Sequence, residues 1–222
     1  MASPPVVETI RLPGQSDYNH ALELQTARVQ AVEQGHEPSA LFLLEHSPVI
    51  TLGRKWHKEN LLKSEEELHA LGIDVFPATR GGDVTYHGPG QLIAYPVLDL
   101  RLWKKSIRWY LRSLEEVLIR TVARYGLSGE RVDGLTGVWV GGAKVAAIGI
   151  GIHNWVTYHG VALNVAPNLA HFGLIIPCGI AGKPVTSLEQ LIPNPPSMEQ
   201  AAVDFENAFR DIFQQALSRP SS

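Results

Sequence analysis

Cys178 is the only cysteine among 222 residues, and it sits in Ile176-Pro177-Cys178-Gly179-Ile180. A thiol with no second cysteine makes no internal disulfide. Cysteines that merely pack usually lie within apolar strands or helices, as small hydrophobes. Here the neighbours are a proline with fixed φ and a glycine with no side chain, so the turn can present sulfur at the rim of a cavity. The functional reading is a catalytic thiol, and the bland one is an inert thiol in a turn.

Lys144 follows Gly141-Gly142-Ala143 and opens the apolar run 145–150. Burial or a nearby cation disfavours the ammonium of such a lysine, and a thiolate neighbour favours it. Alternatively, it is a lysine snorkelling from a strand end. His87 and His159 each lie in a Tyr-His-Gly triplet. Either both face one cavity and orient a carbonyl or thioester, or both are satisfied by backbone groups. The nine histidines are dispersed and none has HExxH-like spacing, so no metal site is expected. Arg80-Gly81-Gly82 offers backbone to a ligand. It matches neither the P-loop nor the GxGxxG pattern, and turn chemistry explains its glycines equally well.

Apolar residues make up 45% of the chain and charged residues 18%, with a net charge of −3. This is ordinary for a soluble globular protein and calls for neither nucleic acid nor a membrane. A local basic patch for an acidic protein partner stays open. The lone cysteine fits a reducing cytosol, and the N-terminus lacks the basic and apolar regions of a secretory signal. A cytoplasmic protein is expected.

The elements that must position these residues follow from periodicity and punctuation. Residues 6–12 read as a first strand. Asp17 caps a helix to about Gln34, with Ala21, Leu24, Ala27, Ala31 and Val32 on one side and Gly35 as terminator. Runs 40–45 and 49–52, split by Ser47-Pro48, read as a strand pair. Residues 57–71 have a charged helical pattern, and 74–77 form a short strand. Residues 80–91 make a turn, a short strand and a second turn, before a buried strand at 92–100. A long helix at about 106–125 has Leu111, Leu114, Val117, Leu118 and Val122 as its stripe. Strands at 137–140, 144–152 and 156–165 follow, the first two joined through Gly141-Gly142. A short helix after Leu188 and a final helix at 198–217 complete the chain. Hairpin-like strand groups with inserted helices indicate an α+β fold, with a mixed, largely antiparallel sheet flanked by helices. No repeat or long linker divides residues 1–222. The best minor boundary is 193–197.

Four blocks carry a resemblance: RGGDVTYHGPGQ from Arg80 to Gln91, GGAKVAAIG from Gly141 to Gly149, YHGVALNV from Tyr158 to Val165, and PCGI with VTSL between Pro177 and Leu188. In this order they resemble the signature blocks of the lipoyl(octanoyl) transferases, over about residues 42–188. The resemblance implies a fold related to the biotin and lipoate protein ligases. It implies transfer of octanoyl from octanoyl-acyl carrier protein to a lysine of a lipoyl domain, with no cofactor and the enzyme acting as a monomer. Cys178 is then the acyl-thioester nucleophile and Lys144 its activating partner. Arg80, Gly81, Gly82, Asp83, Val84, Thr85, Tyr86 and His87 would line the substrate site, with Ala147, Ile148, Gly149, Gly160, Val161 and Ala162. His87, His159 and backbone N–H groups near Gly179 are candidates for orienting the carbonyl or holding the oxyanion.

The chemistry is coherent. A free thiol has a pKa of about 8.5, and an adjacent ammonium lowers it towards neutrality. Thiolate attack on a thioester is nearly isoenergetic and suits a covalent relay. Six buried methylenes contribute roughly 5 kcal/mol gross, enough to rank octanoyl above much shorter chains. Two alternatives remain at this level: an ATP-dependent lipoate or biotin ligase on the same scaffold, and a non-catalytic module that binds lipoyl domains or acyl groups.

Overall fold

The computed structural model describes residues 5–176 and 184–218. Cys178 and Gly179 therefore lie outside the described residues. The first strand, β1 (Val7–Ser16), runs on through Pro13 and Gly14, past the expected stop, and leads into helix α1 (Tyr18–Glu33). Asp17 caps α1 by accepting from the His20 amide, and Gly35 follows it at φ 73°. The buried face of α1 is Tyr18, Ala21, Gln25, Val29 and Val32, which is rotated from the expected stripe. Ala27 is exposed and Leu24 only half-buried. Gln25, a polar residue, takes an interior position because its amide has backbone partners there, as described below.

Strands β2 (Ser39–His46) and β3 (Val49–Leu52) do not pair with each other, contrary to the sequence expectation. The Ser47-Pro48 break sends the chain from one sheet to another. β2 joins a six-stranded sheet of order β1-β2-β6-β9-β8-β7, with β6 (Gln91–Val97), β7 (Gly137–Val140), β8 (Ala143–His153) and β9 (Val156–Asn164). Only the β1–β2 contact in it is parallel. β3 lies between β4 (Asp74–Pro77), parallel to it, and β5 (Val84–His87), antiparallel. The charged stretch 57–71 is less helical than its pattern implies. It holds a 3₁₀ turn at Lys58–Asn60 and the short helix α2 (Glu65–Ala70), begun by a capping box between Ser64 and Glu67. Its charges cover solvent, and only Asn60 and Leu68 are buried in these two pieces.

Period-two alternation on β2 and β6 sends side chains to both faces of the large sheet. Leu41, Leu43, Leu92 and Ala94 face helix α3 (Ile107–Ala123) and helix α5 (Met198–Ser218). Ala40, Phe42, Leu44 and Tyr95 face α1. Ser106 caps α3 through the Trp109 amide, and Leu114, Val117, Leu118 and Val122 are fully buried. Leu111 departs from the expected stripe: it is half-buried and faces a cleft, while Tyr110 is fully buried. Ser197 caps α5, whose Phe205, Phe209 and Phe213 stack in series and enter the same core as α3. The short helix α4 (Leu188–Leu191) begins at Ser187. No helix among the described residues is long and apolar enough to cross a membrane.

Phe209 is stacked on both neighbours and about 1% exposed. Phe209→Ala is expected to lower unfolding stability by about 3–5 kcal/mol, through lost burial and a residual cavity. Urea denaturation checks this, and a loss near zero would mean that α5 is not integral to the core.

Candidate active site

The site forms where the Arg80–Asp83 turn is laid against β8. Backbone bonds fix the turn from both sides. Gly81 N–H donates to Ile150 O at 2.8 Å, Arg54 N–H to Arg80 O at 3.1 Å, and Lys55 N–H to Gly82 O at 3.0 Å. The Arg80 guanidinium is buried and donates to Thr51 Oγ1, Thr51 O and Gly81 O. Gly149 makes the approach possible. A Cβ there would meet Arg80 Cδ at 2.9 Å and Gly81 O at 3.2 Å.

Behind this contact is an inner cavity of about 50 Å³. Of the expected substrate residues, Arg80, Gly81, Gly82, Thr85 and His87 line it from the β5 side. Ala147, Ile148 and Gly149 line it from β8, and Gly160, Val161 and Ala162 from β9. His159 joins them. Val84 and Tyr86 do not, which corrects the reading of 80–87 as one continuous lining. β5 alternates, so these two side chains enter the core beneath the small sheet, with Ile50, Leu68 and Ile175. In front is an open cleft of about 720 Å³, which Lys144 and Asp83 line. Gly81, Gly82, Ile148 and Gly149 belong to both spaces and form the neck between them.

Lys144 is placed by the β7–β8 hairpin. Gly141 and Gly142 take φ values of 57° and 81°, the left-handed turn that suits strand twist. Lys144 lies opposite Trp139 in the ladder, with Nζ 4.9 Å from the ring centroid. This cation–π contact holds the stem in the cleft. The Trp139 ring is buried with Nε1 unbonded among the described residues. Lys144 also ties down the chain that returns after residue 183. Its N–H donates to Pro184 O at 2.8 Å, and Thr186 N–H donates to Lys144 O at 2.9 Å. On the other side, Ile176 N–H donates to Asn60 O at 2.9 Å, and Asn60 Nδ2 donates to Asp83 Oδ2 at 2.6 Å. Asp83 also accepts from the Val84 and His57 amides. Asp83 is thus a structural brace at the cleft floor. Both stems of 177–183 end on residues that line the same cleft.

The wall of the inner cavity is polar at one end, yet its histidines are neutral. His87 is pushed well below its usual pKa, chiefly by burial, then by His46 and Arg80. Burial likewise takes His159 down to about 3 and His46 to about 4. The tautomers follow from their partners. Gln91 Nε2 donates to Tyr86 O and Asn164 Oδ1, so Gln91 Oε1 must be the acceptor facing His87 Nδ1. His87 therefore carries its proton on Nδ1 and has a bare Nε2, so it is not the oxyanion donor considered from sequence. His46 Nδ1 donates to Ser16 O, and its Nε2 accepts from the Tyr95 hydroxyl. The His159 amide, at φ 55°, donates to Gln25 Oε1.

Tyr18 and Tyr95 also line the inner cavity, and Lys55, Asn60, Leu111 and Leu135 line the cleft. Sequence reasoning missed them. Gln25 carried the one available signal: a polar side chain at helical spacing on an apolar face.

Two consequences are measurable. Gly149→Val is expected to reduce turnover by at least about tenfold, because a branched side chain cannot fit against Arg80 and its turn. Unchanged turnover in a steady-state assay would mean that the neck is not needed. The histidines impose a pH dependence on stability. Below about pH 6.5 the unfolded chain binds protons that the folded histidines refuse, so stability falls as pH falls towards their folded values. Each fully resisting histidine contributes up to about 1.4 kcal/mol per pH unit. Urea midpoints should drop from pH 7 to 5 and drop less steeply in His159→Gln. Equal midpoints at the two pH values would contradict the neutral cluster.

Comparison with known proteins agrees with this geometry. Residues 17–210 match the lipoyl protein ligase A/B catalytic domain. An octanoyltransferase of Solibacter usitatus is 48% identical over 204 residues, covering 92% of each chain. One of Clostridium kluyveri is 44% identical over 200 residues, covering 90% of this chain and 85% of its own. By fold, a lipoate-protein ligase A bound with ATP aligns with TM-score 0.72 at 14% identity, over 93% of this chain and 86% of the other. A putative lipoate protein ligase from T. acidophilum aligns with TM-score 0.71 at 14% identity, over 96% and 86%. With its neck built from the blocks that carry the resemblance, the chain belongs to the lipoyl protein ligase A/B catalytic-domain family, among its octanoyltransferases.

Proposed function

We propose that the protein moves octanoyl from octanoyl-acyl carrier protein to a lysine of a lipoyl domain, through a thioester on Cys178. The observation that carries this reading is the pairing of a narrow cavity, whose histidines are neutral and whose one guanidinium is held on Thr51 and Gly81, with a cleft holding Lys144, with the stems of 177–183 anchored at that cleft. Cys178 is two residues beyond Ile176, and two residues of chain span at most about 7 Å. The neck holds the carbonyl end and directs the acyl chain at the inner cavity, which at about 50 Å³ must widen by movement of its side chains to take the whole chain.

In the first step the Cys178 thiolate attacks the thioester carbonyl. A new C–S bond forms, the bond to the carrier's sulfur breaks, and that sulfur leaves as a thiolate that takes a proton from Lys144, which is left as a neutral amine. Lys144 is the ammonium that stabilises the attacking thiolate. In the second step the amine of the acceptor lysine attacks. The C–N bond forms, Cys178 leaves, and the proton lost by the amine passes to Lys144. Exchanging a thioester for an amide is downhill, so no nucleotide is consumed. Relatives at 44–48% identity bear the name octanoyltransferase, whereas the ligases share the fold at 14% identity, and this favours transfer over ATP-dependent ligation.

The test is intact-mass analysis after mixing with octanoyl-acyl carrier protein. One octanoyl adduct is expected, released by added thiol and absent in Cys178→Ser. Lys144→Ala should slow adduct formation by at least about a hundredfold. Transfer dependent on lipoate and ATP, with no adduct, would overturn the reading in favour of a ligase.

A further inference from the structure

The surface cations are not evenly compensated. Arg54, Lys55, Lys58, Lys104, Lys105 and Arg108 are exposed and have no carboxylate partner among the described residues. The other described arginines and lysines that are exposed or half-buried outside the cleft are each paired with a carboxylate. Among the described residues these six uncompensated cations fall in two segments, and both border the cleft. Lys55 and His57 line it on one side, and Leu111 lines it on the other. Arg108 lies one helical turn before Leu111, on the same face of α3.

The cations on α3 are placed against the interest of the helix. Lys104 and Lys105 immediately precede the cap Ser106, Arg108 is the second helical residue, and the first turn holds no acidic residue. A helix N-terminus carries partial positive charge and favours anions. The same chain follows that rule elsewhere, with Glu65, Glu66 and Glu67 in the first turn of α2 and Glu199 in that of α5. Apolar side chains are exposed among the same cations: Trp56 at 41%, Leu102 at 55% and Ile107 at 50%. Exposed aromatic and aliphatic groups ringed by unpaired charge of one sign mark a protein-docking face. Acidic groups also occur near the mouth. Asp83 is spent on amides and Asn60, Glu59 lies near His57, and Asp133 adjoins the cleft residue Gly134.

We propose that the segments 54–58 and 104–108 form the docking face for the donor, an acidic carrier protein that delivers its acyl thioester into the cleft between them. This rests on the reading under Proposed function. Charge complementarity selects an acidic protein surface, the exposed Trp56, Leu102 and Ile107 supply apolar contact, and the cleft receives the thioester arm.

The test uses the triple variant Lys104→Glu, Lys105→Glu, Arg108→Glu and the single variant Lys58→Glu. The thermal midpoint of the triple variant should be unchanged or higher, because the new charges suit the helix N-terminus. With octanoyl-acyl carrier protein, kcat/KM of the triple variant should fall by at least about tenfold at low ionic strength, through KM. The deficit should shrink in high salt. Lys58→Glu should show a smaller loss of the same kind. With octanoyl-pantetheine, which has no protein surface, all variants should match wild type within about twofold. Equal losses with both donors would overturn the docking face, as would unchanged kcat/KM with the carrier. A rise in KM for the lipoyl-domain acceptor alone would assign the face to the other partner and overturn the proposal. If wild type transfers no octanoyl from the carrier, the underlying reading fails, and the docking face falls with it. Transfer by wild type with no deficit in the variants removes the docking face alone.

Discussion

The contact between the Arg80–Gly82 turn and strand β8 is the constraint on which the site depends. It joins the small sheet to the large one, because Arg80 donates to Thr51 of β3 on one side and Gly81 N–H donates to Ile150 O of β8 on the other. It also divides the interior space in two. On one side is a cavity whose histidines are uncharged, and on the other is a cleft that holds a lysine. Had β8 carried a side chain at position 149, the turn would stand further off, and the neck would open.

That arrangement separates two chemical tasks that conflict. Binding a hydrocarbon chain needs a dry wall without free charge, whereas activating a thiol needs a cation nearby. The Arg80 charge is held on Thr51 and Gly81 oxygens, and the imidazoles are held neutral by burial. Lys144 is kept on the outer side of the neck, over the Trp139 ring. A buried side-chain chain from His87 through Gln91 and Asn164 to Thr186 O ties the cavity wall to the segment that bridges to Lys144. Movement at one place is therefore resisted at the other, since each buried amide that lost its partner would carry a desolvation penalty.

Much of this was legible from residue order. The α+β class, the cap residue Asp17 and the Gly141-Gly142 hairpin follow from local chemistry that operates over a few residues. The blocks bearing the resemblance contain most of the cavity lining. Failures occurred where a local pattern has two physical outcomes. Residues 40–45 and 49–52 look like a strand pair, but the chain breaks at Pro48, and the first pairs with β1 and β6 while the second pairs with β4 and β5. The 57–71 pattern is polar enough for an exposed helix, yet its first part folds as a 3₁₀ turn that points Asn60 inward to Asp83. Leu111 counts as core by periodicity and is cleft wall in fact.

Sequence alone determined which groups are available: one thiol, a lysine after a glycine pair, two histidines in matching triplets, and the caps and turns that begin and end the elements. These are set by side-chain type and short-range backbone preference. Only the tertiary structure decided how the groups act. It placed Val84 and Tyr86 away from the cavity, brought Tyr18, Tyr95 and Gln25 to its surroundings, and made Asp83 a brace. It also fixed His87 Nδ1 as a donor and left Nε2 bare, because the tautomer follows from Gln91, whose own orientation is set by Asn164 on another strand.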